Sequence, residues 1–285
     1  MRIAIASGKG GTGKTFVSTN LYWSLHQAGV SVTLVDCDAE EPNVGEFLSA
    51  PEIDRQTITQ QIPVIDTEKC TFCGKCHEYC NYNAIVILPP VKFIQVVDEL
   101  CHDCGACYVA CQEGAIAHKD RNLGTVTRQE IDHRTHLVEA RAEVGVYSPV
   151  PLIKKAINAE EPESLAILDS PPGISCPFIA TVDRADYVVL VTEPTPFGLN
   201  DLKLSVETLR EMGIPCGVII NRAGLGDQGV QEYLVKNKIP LLMKIPFDKE
   251  IARIYSEGGL WVEKVPEAQN RFLILLETIK KQLNS

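Results

Sequence analysis

Residues 1–15, Met1-Arg2-Ile3-Ala4-Ile5-Ala6-Ser7-Gly8-Lys9-Gly10-Gly11-Thr12-Gly13-Lys14-Thr15, decide the fold of this chain. Ile3, Ile5 and their neighbours form a short apolar run of the kind that makes a buried strand. The run ends at Ser7, and Gly8-Lys9-Gly10-Gly11-Thr12-Gly13-Lys14-Thr15 then fits G-x-x-x-x-G-K-[ST]. The glycines let successive backbone N–H groups turn inward around phosphate oxygens, where a side chain would block them. Lys14 can reach the β- and γ-phosphates, and the Thr15 hydroxyl can take a place on Mg²⁺. A helix starting near Gly13 adds its positive end to the same anion. Phe16 to Gln27 supplies that helix as an amphipathic run, stopped by Gly29. Strand, glycine loop and helix in this order predict a nucleotide site.

The loop carries a second lysine, Lys9, directly after its first glycine. Lys9 to Thr15 thereby resembles the deviant Walker A ATPases (MinD, ParA, Mrp and the nitrogenase iron protein), whose pattern is K-G-G-x-G-K-[ST]. The resemblance implies ATP as ligand and an ATP-dependent sandwich homodimer in which Lys9 reaches the partner's nucleotide.

Strand and helix alternate after the loop. Ser31 to Asp36 reads as a buried parallel strand and opens into Asp36-Cys37-Asp38-Ala39-Glu40-Glu41-Pro42-Asn43, an acidic loop at a strand's carboxyl end. This segment is similar to the family's first switch, which implies that Asp38, with Asp36 as the second choice, positions the attacking water. Ser164 to Asp169 is another apolar strand, followed by Ser170-Pro171-Pro172-Gly173. An aspartate there can hold Mg²⁺ through water, as in a Walker B site. The family's second switch, D-x-P-[PA]-G, implies that role for Asp169 and a γ-phosphate contact for the Gly173 amide. Asp186 to Thr192 and Pro215 to Asn221 are further strands. By the same resemblance Asn221 reads the adenine edge, and Pro246, Phe247 and Asp248 wall the base. The closing segment, Glu267 to Leu283, carries Phe272, Leu273, Leu275, Leu276 and Ile279 at helical spacing and reads as a core helix rather than a membrane-surface one.

From Asp54 to Thr125 the character changes to short Cys-rich loops, which predicts an inserted domain. Eight of the eleven cysteines fall here, in a duplicated spacing. Cys70-x₂-Cys73-x₂-Cys76-x₃-Cys80 is followed by Cys101-x₂-Cys104-x₂-Cys107-x₃-Cys111. Three thiolates two residues apart can wrap one face of a cubane while the fourth points away. Structural zinc would want sets of four at tetrahedral spacing rather than interlocked runs. The pattern resembles bacterial two-cluster ferredoxins, in which the fourth cysteine ligates the other cluster. That resemblance implies one [4Fe–4S] cluster on Cys70, Cys73, Cys76 and Cys111, and a second on Cys101, Cys104, Cys107 and Cys80. The proline that follows the fourth cysteine in ferredoxins is replaced by Asn81 and Gln112. His77 and His102 stand beside these ligands, where a ring could hydrogen-bond a cluster sulfur. Cys176, beside the second switch, reads as a small buried residue. His133 and His136 lack any partnering motif.

The expected architecture is therefore α/β. A doubly wound, mostly parallel P-loop sheet (residues 1–53 and 126–285) is interrupted by a ferredoxin-like α+β insert (54–125). A formal charge of −10 without a basic block argues against nucleic acid as partner. No apolar stretch reaches membrane-span length and the start lacks a signal peptide's features, so a cytoplasmic protein without a membrane partner is expected. Three functions fit these motifs. An ATP-gated electron carrier acting on a redox partner stands first, because of the two-cluster relay. An iron–sulfur or metal-cofactor assembly ATPase acting on a client protein stands second. A positioning switch of the MinD/ParA kind with redox-sensing clusters stands third.

Overall fold

The computed structural model describes residues 1–160 and 164–284. In chain order the elements are β1 (Arg2–Ala6), α1 (Lys14–Gln27), β2 (Val32–Asp36), β3 (Glu52–Ile65), α2 (Lys75–Glu78), β4 (Ile85–Leu88), β5 (Phe93–Val96), α3 (Ala106–Ala110), β6 (Ile116–Asp132) and β7 (Thr135–Ala142). They continue as α4 (Val150–Ile157), β8 (Leu165–Asp169), α5 (Cys176–Val182), β9 (Tyr187–Thr192), α6 (Pro196–Glu211), β10 (Cys216–Ala223), α7 (Gly229–Lys236), β11 (Leu241–Pro246), α8 (Lys249–Ser256), α9 (Trp261–Lys264) and α10 (Pro266–Leu283).

One sheet runs in the order β11-β10-β9-β1-β8-β2-β7-β6-β3. The pairs from β11 through β7 are all parallel. β6 and β7 are joined only by His133-Arg134, a link short enough for an antiparallel pair alone. β2, β8 and β9 are buried along their whole length, which is why they read as continuous apolar runs rather than alternating ones. From β1 the chain crosses to β2 over one neighbour, β8, while β9 lies on the other side of β1. The loop after β1 thus leaves the sheet where strand order reverses, the usual crevice for a ligand.

Helix α1 departs from its amphipathic expectation, because Lys14 to Leu25 is buried on nearly every face. The C-terminal helices cover it. α9 and α10 pack on α1, Phe16 stacks on Trp261 at 6.0 Å, and Asn20 Oδ1 accepts from the Val262 N–H at 3.1 Å. α10 turns Phe272, Leu275, Leu276 and Ile279 into this core. Among the described residues no helix is long and apolar enough to cross a membrane.

The chain divides into two compact units, Met1–Gln56 with Thr125–Arg141 and Val150–Ser285, and Thr57–Gly124 with Ala142–Pro149. The divisions fall inside β3 and β6, strands of 14 and 17 residues where short loops were expected. In the second unit the return segment is tied to the end of the Cys-rich stretch. The Glu143 N–H donates to Leu123 O at 2.9 Å and Arg121 to Gly145 O at 3.2 Å. One apolar cluster there gathers Cys76, Ile85 and Ile116, and Ile62 and Leu123 are buried as well. β4 and β5 pair antiparallel, from Ile85 opposite Val96 to Leu88 opposite Phe93.

Candidate functional site

In the first unit, β1 delivers the glycine loop and α1 begins at Lys14 behind Gly13, whose left-handed backbone (φ 99°) a glycine adopts without strain. A Cβ on Gly8 would lie 2.6 Å from Asp201 O, and one on Gly13 would strike the Asn221 amide. Gly11 has φ 74° and open space around it, so the backbone there is free to face a ligand. Thr12 Oγ1 is buried with no hydrogen-bond partner, a group that calls for one.

The parallel register lines up three strand ends around this loop. Asp36 of β2 stands opposite Asp169 of β8, and Asp169 opposite Ile5 of β1. The Asp169 carboxyl is fully buried, and burial pushes its pKa up to about 6 against the pull of the Thr15 hydroxyl and the Lys14 ammonium. Its Oδ1 has no hydrogen-bond partner. Such an oxygen beside a threonine hydroxyl has the chemistry to take a water-bridged divalent cation. Lys14 is buried as well; burial lowers its pKa, and Asp169 and Asp38 raise it.

The two aspartates expected in the first switch have different surroundings. Asp36 accepts from the N–H groups of Asp38 (3.1 Å), Asn43 (2.9 Å) and Val44 (3.0 Å), so both its oxygens are spent on shaping the acidic loop. Burial, and then Asp169, hold its pKa well above the carboxylate range. Asp38 is half-buried and faces Lys14; burial lifts its pKa to about 6 while Lys14 opposes the rise. Gly173, at φ 84°, donates its N–H to Ser7 O at 3.2 Å, which joins the segment after Asp169 to the start of the loop.

Asn221 Nδ2 donates to Thr12 O at 2.8 Å, so the expected base reader braces the phosphate loop. The Phe247 N–H donates to Ala223 O at 3.0 Å, which brings the Pro246–Asp248 turn to the Asn221 strand end. Asp248 caps α8 by accepting from the Glu250 N–H at 2.7 Å, and Phe247 is exposed. Lys9 is bound within its own chain. Its Nζ lies 3.3 Å from Glu193 Oε2, and Glu193 Oε1 pairs with Arg222 at 2.7 Å. Glu193 is the residue that sequence reasoning missed. The available signal was a carboxylate at the end of β9, the strand beside β1.

In the second unit the eight cysteines separate into two recesses. Cys70, Cys73, Cys76 and Cys111 line one of about 350 Å³ including its open mouth. Cys80, Cys101, Cys104 and Cys107 line another of about 410 Å³. Each recess takes its fourth cysteine from the other half of the repeat. The duplication also marks the backbone, since positive φ recurs at matching offsets, at Phe72 and Asp103, Gly74 and Gly105, Asn83 and Gly114. N–H groups aim at two of the sulfurs, Phe72 at Cys70 Sγ (3.4 Å) and Ala84 at Cys80 Sγ (3.3 Å). Burial pushes the Cys76, Cys101 and Cys107 thiols up. His77 Nδ1 is engaged by Ile85 O at 2.6 Å, and His102 stacks on Tyr82 at 3.9 Å. At Gln112, where ferredoxins have proline, the side chain accepts from Lys75 at 3.0 Å. Among the described residues no three His, Cys, Asp or Glu side chains gather as a single-ion site. Cys176 is exposed rather than buried.

Known proteins extend this description. An uncharacterized protein of Methanocaldococcus jannaschii is 28% identical over 264 residues, covering 90% of this chain and 90% of its own. An iron-sulfur cluster carrier protein of Pyrococcus horikoshii is 22% identical, over 99% of this chain and 86% of its own. Among solved structures, the septum site-determining protein MinD of Pyrococcus horikoshii, complexed with Mg-ADP, superposes with a TM-score of 0.59 at 22% identity, covering 99% of this chain and 96% of that one. The family described as the CobQ/CobB/MinD/ParA nucleotide binding domain matches residues 3–261. With the glycine loop, its lysine and the strand-end aspartates gathered in one crevice, the chain belongs to this family as one of its P-loop ATPases.

Proposed function

We propose that this protein is an ATP-switched dimer serving iron–sulfur or metal-cofactor assembly, with two [4Fe–4S] clusters held in its second unit. The observation that carries the reading is the sorting of eight thiols into two recesses, each completed by a cysteine from the opposite half of the repeat. The relative described as an iron-sulfur cluster carrier, aligned over nearly the whole chain, supports assembly ahead of electron transfer.

Cys70, Cys73, Cys76 and Cys111 would hold one cluster, and Cys101, Cys104, Cys107 and Cys80 the other. Such clusters supply one-electron transfer when bound. At the other site Lys14 and the N–H groups of Gly8 to Gly13 hold the phosphates. Thr15 and Asp169 would hold Mg²⁺, which would supply charge neutralisation at the phosphates. Asp38 orients the attacking water, and Gly173 answers to the γ-phosphate. Asn221 meets the base against Pro246 to Asp248. Lys9 crosses to the partner's nucleotide. In this reading the protein works in the cytoplasm on a client protein. A second reading, ATP-gated electron transfer, is favoured by the complete set of four cysteines at each recess, which suits resident rather than transferable clusters.

One experiment separates the two. Anaerobically reconstituted protein labelled with ⁵⁷Fe is mixed with an apo-[4Fe–4S] acceptor protein, with and without MgATP, and followed by Mössbauer and EPR spectroscopy. Iron passing to the acceptor in an ATP-dependent way supports assembly. Iron retained, with reduction potentials that shift between MgADP and MgATP, supports electron transfer. Reconstitution that loads no iron overturns both.

A further inference from the structure

The contacts of Lys9 point to a residue outside the nucleotide motifs. Glu193 directly follows β9, whose pairing with β1 (Ala6 opposite Leu190) sets that strand end beside the glycine loop. The turn holding it is tight. The Thr195 N–H donates to Glu193 O at 2.8 Å, and a Cβ on Gly198 would strike the same oxygen. The Glu193 side chain is only 12% exposed, yet it meets two cations, Lys9 and Arg222, which are 35% and 50% exposed. A fixed, buried anion is thus shared by two half-solvated partners that can leave it. Arg222 has a left-handed backbone (φ 52°), uncommon for a non-glycine residue and a form of local strain that clusters at functional sites. Its N–H donates to Asn221 Oδ1, and Asn221 Nδ2 reaches back to Thr12 O. Lys9, Glu193, Arg222, Asn221 and Thr12 therefore close a ring that begins and ends on the glycine loop.

We infer that Glu193 is a positioning residue that retains Lys9 on its own protomer and competes with the partner's nucleotide for it. The inference rests on the proposed dimer, in which Lys9 must leave its own chain. Arg222 stays on the carboxylate when Lys9 departs, so the released anion is not left unpaired in a buried place. A half-exposed pair of this kind is weak enough to exchange, worth roughly up to fivefold in an equilibrium. Two of them open for each dimer formed.

The test measures dimerisation of the full-length protein with Mg²⁺ and a non-hydrolysable ATP analogue by sedimentation equilibrium. Glu193→Gln keeps the shape and removes the charge. It is expected to tighten the dimer roughly three- to thirtyfold, and the Lys9→Ala/Glu193→Gln double variant is expected to show no such gain over Lys9→Ala. Glu193→Asp, one methylene short of spanning both cations, is expected to fall between parent and Glu193→Gln, and it serves in place of Glu193→Gln should that variant unfold. A fold defect alone would not make the gain depend on Lys9. Glu193 variants that dimerise like the parent, or more weakly, while Lys9→Ala still abolishes dimerisation overturn the role of Glu193 alone. A parent that does not dimerise with the analogue, or a Lys9→Ala variant that dimerises normally, overturns the crossing of Lys9 and this inference with it.

Discussion

The nucleotide-site unit carries a broad apolar core, with Tyr22, Tyr187, Phe178 and Phe272 fully buried among aliphatic residues, whereas the large aliphatic side chains buried in the thiol-bearing unit, among the described residues, are Ile62, Ile85, Ile116 and Leu123. A region of that size with so little apolar interior lies where natural proteins add disulfides or a structural metal. All eight of its cysteines are free thiols. The first unit is held by what its own side chains bury, and under the proposed function the second is held by what its thiols bind.

The largest test of this contrast strikes the two chemistries separately. Lys14→Ala is expected to lower ATPase turnover by roughly 10²- to 10³-fold, the usual cost of losing a transition-state charge contact, with iron content unchanged. Cys73→Ser is expected to lose the iron of its own recess and leave ATP affinity intact. Steady-state ATPase assays and iron quantitation on both variants read this directly, and loss of both properties in either variant would break the contrast.

Stability sharpens the same point. Phe272→Ala empties a fully buried site between α10 and α1 and is expected to cost about 3–5 kcal/mol in denaturant unfolding of the first unit. Iron chelation is expected to leave that transition in place while exposing Thr57–Gly124 to protease.

The smallest expected effect concerns pH. In its proposed role Asp38 orients water as a carboxylate, and burial raises its pKa to about 6, so ATPase activity is expected to fall as pH drops through the acid range. Stability of the nucleotide-free, metal-free protein moves the other way. With Asp169 at about 6 in the fold and near 3.9 unfolded, the folded state binds more protons between these values. Stability therefore falls as pH rises from about 4 to about 6 and levels off above. Thermal unfolding across pH 5 to 7, beside the activity profile, checks both signs.

The nucleotide site was legible wherever its chemistry is local. The glycine loop is one unbroken stretch, and the strands ending in Asp36 and Asp169 show as apolar runs with a terminal acid. Glu193 was not legible, because its meaning comes from the pairing of β9 with β1 and from two cations far away in the chain. Asn221 was read as a base contact, while its brace on Thr12 spans 209 positions that no local pattern encodes. The burial of α1 depends on helices more than 200 residues later. β3 and β6 read as loops because exposed portions such as Arg55 to Thr57 and Ala117 to Asp120 give no alternation of apolar and polar residues. The repeat of the cysteines was visible at once, since it is carried by spacing alone.

Cys37 sits between the two switch aspartates, wholly enclosed, and burial together with the charge of Asp36 and Asp169 holds its thiol far from ionisation. A thiol that cannot form the thiolate neither alkylates nor oxidises at a useful rate. Cys73 and Cys104, by contrast, open to solvent. Oxygen would therefore age the molecule unevenly. Protein handled in air is expected to oxidise Cys73, Cys104 and the exposed Cys176 ahead of Cys37, so iron loading and ATP turnover need separate assays of intact material.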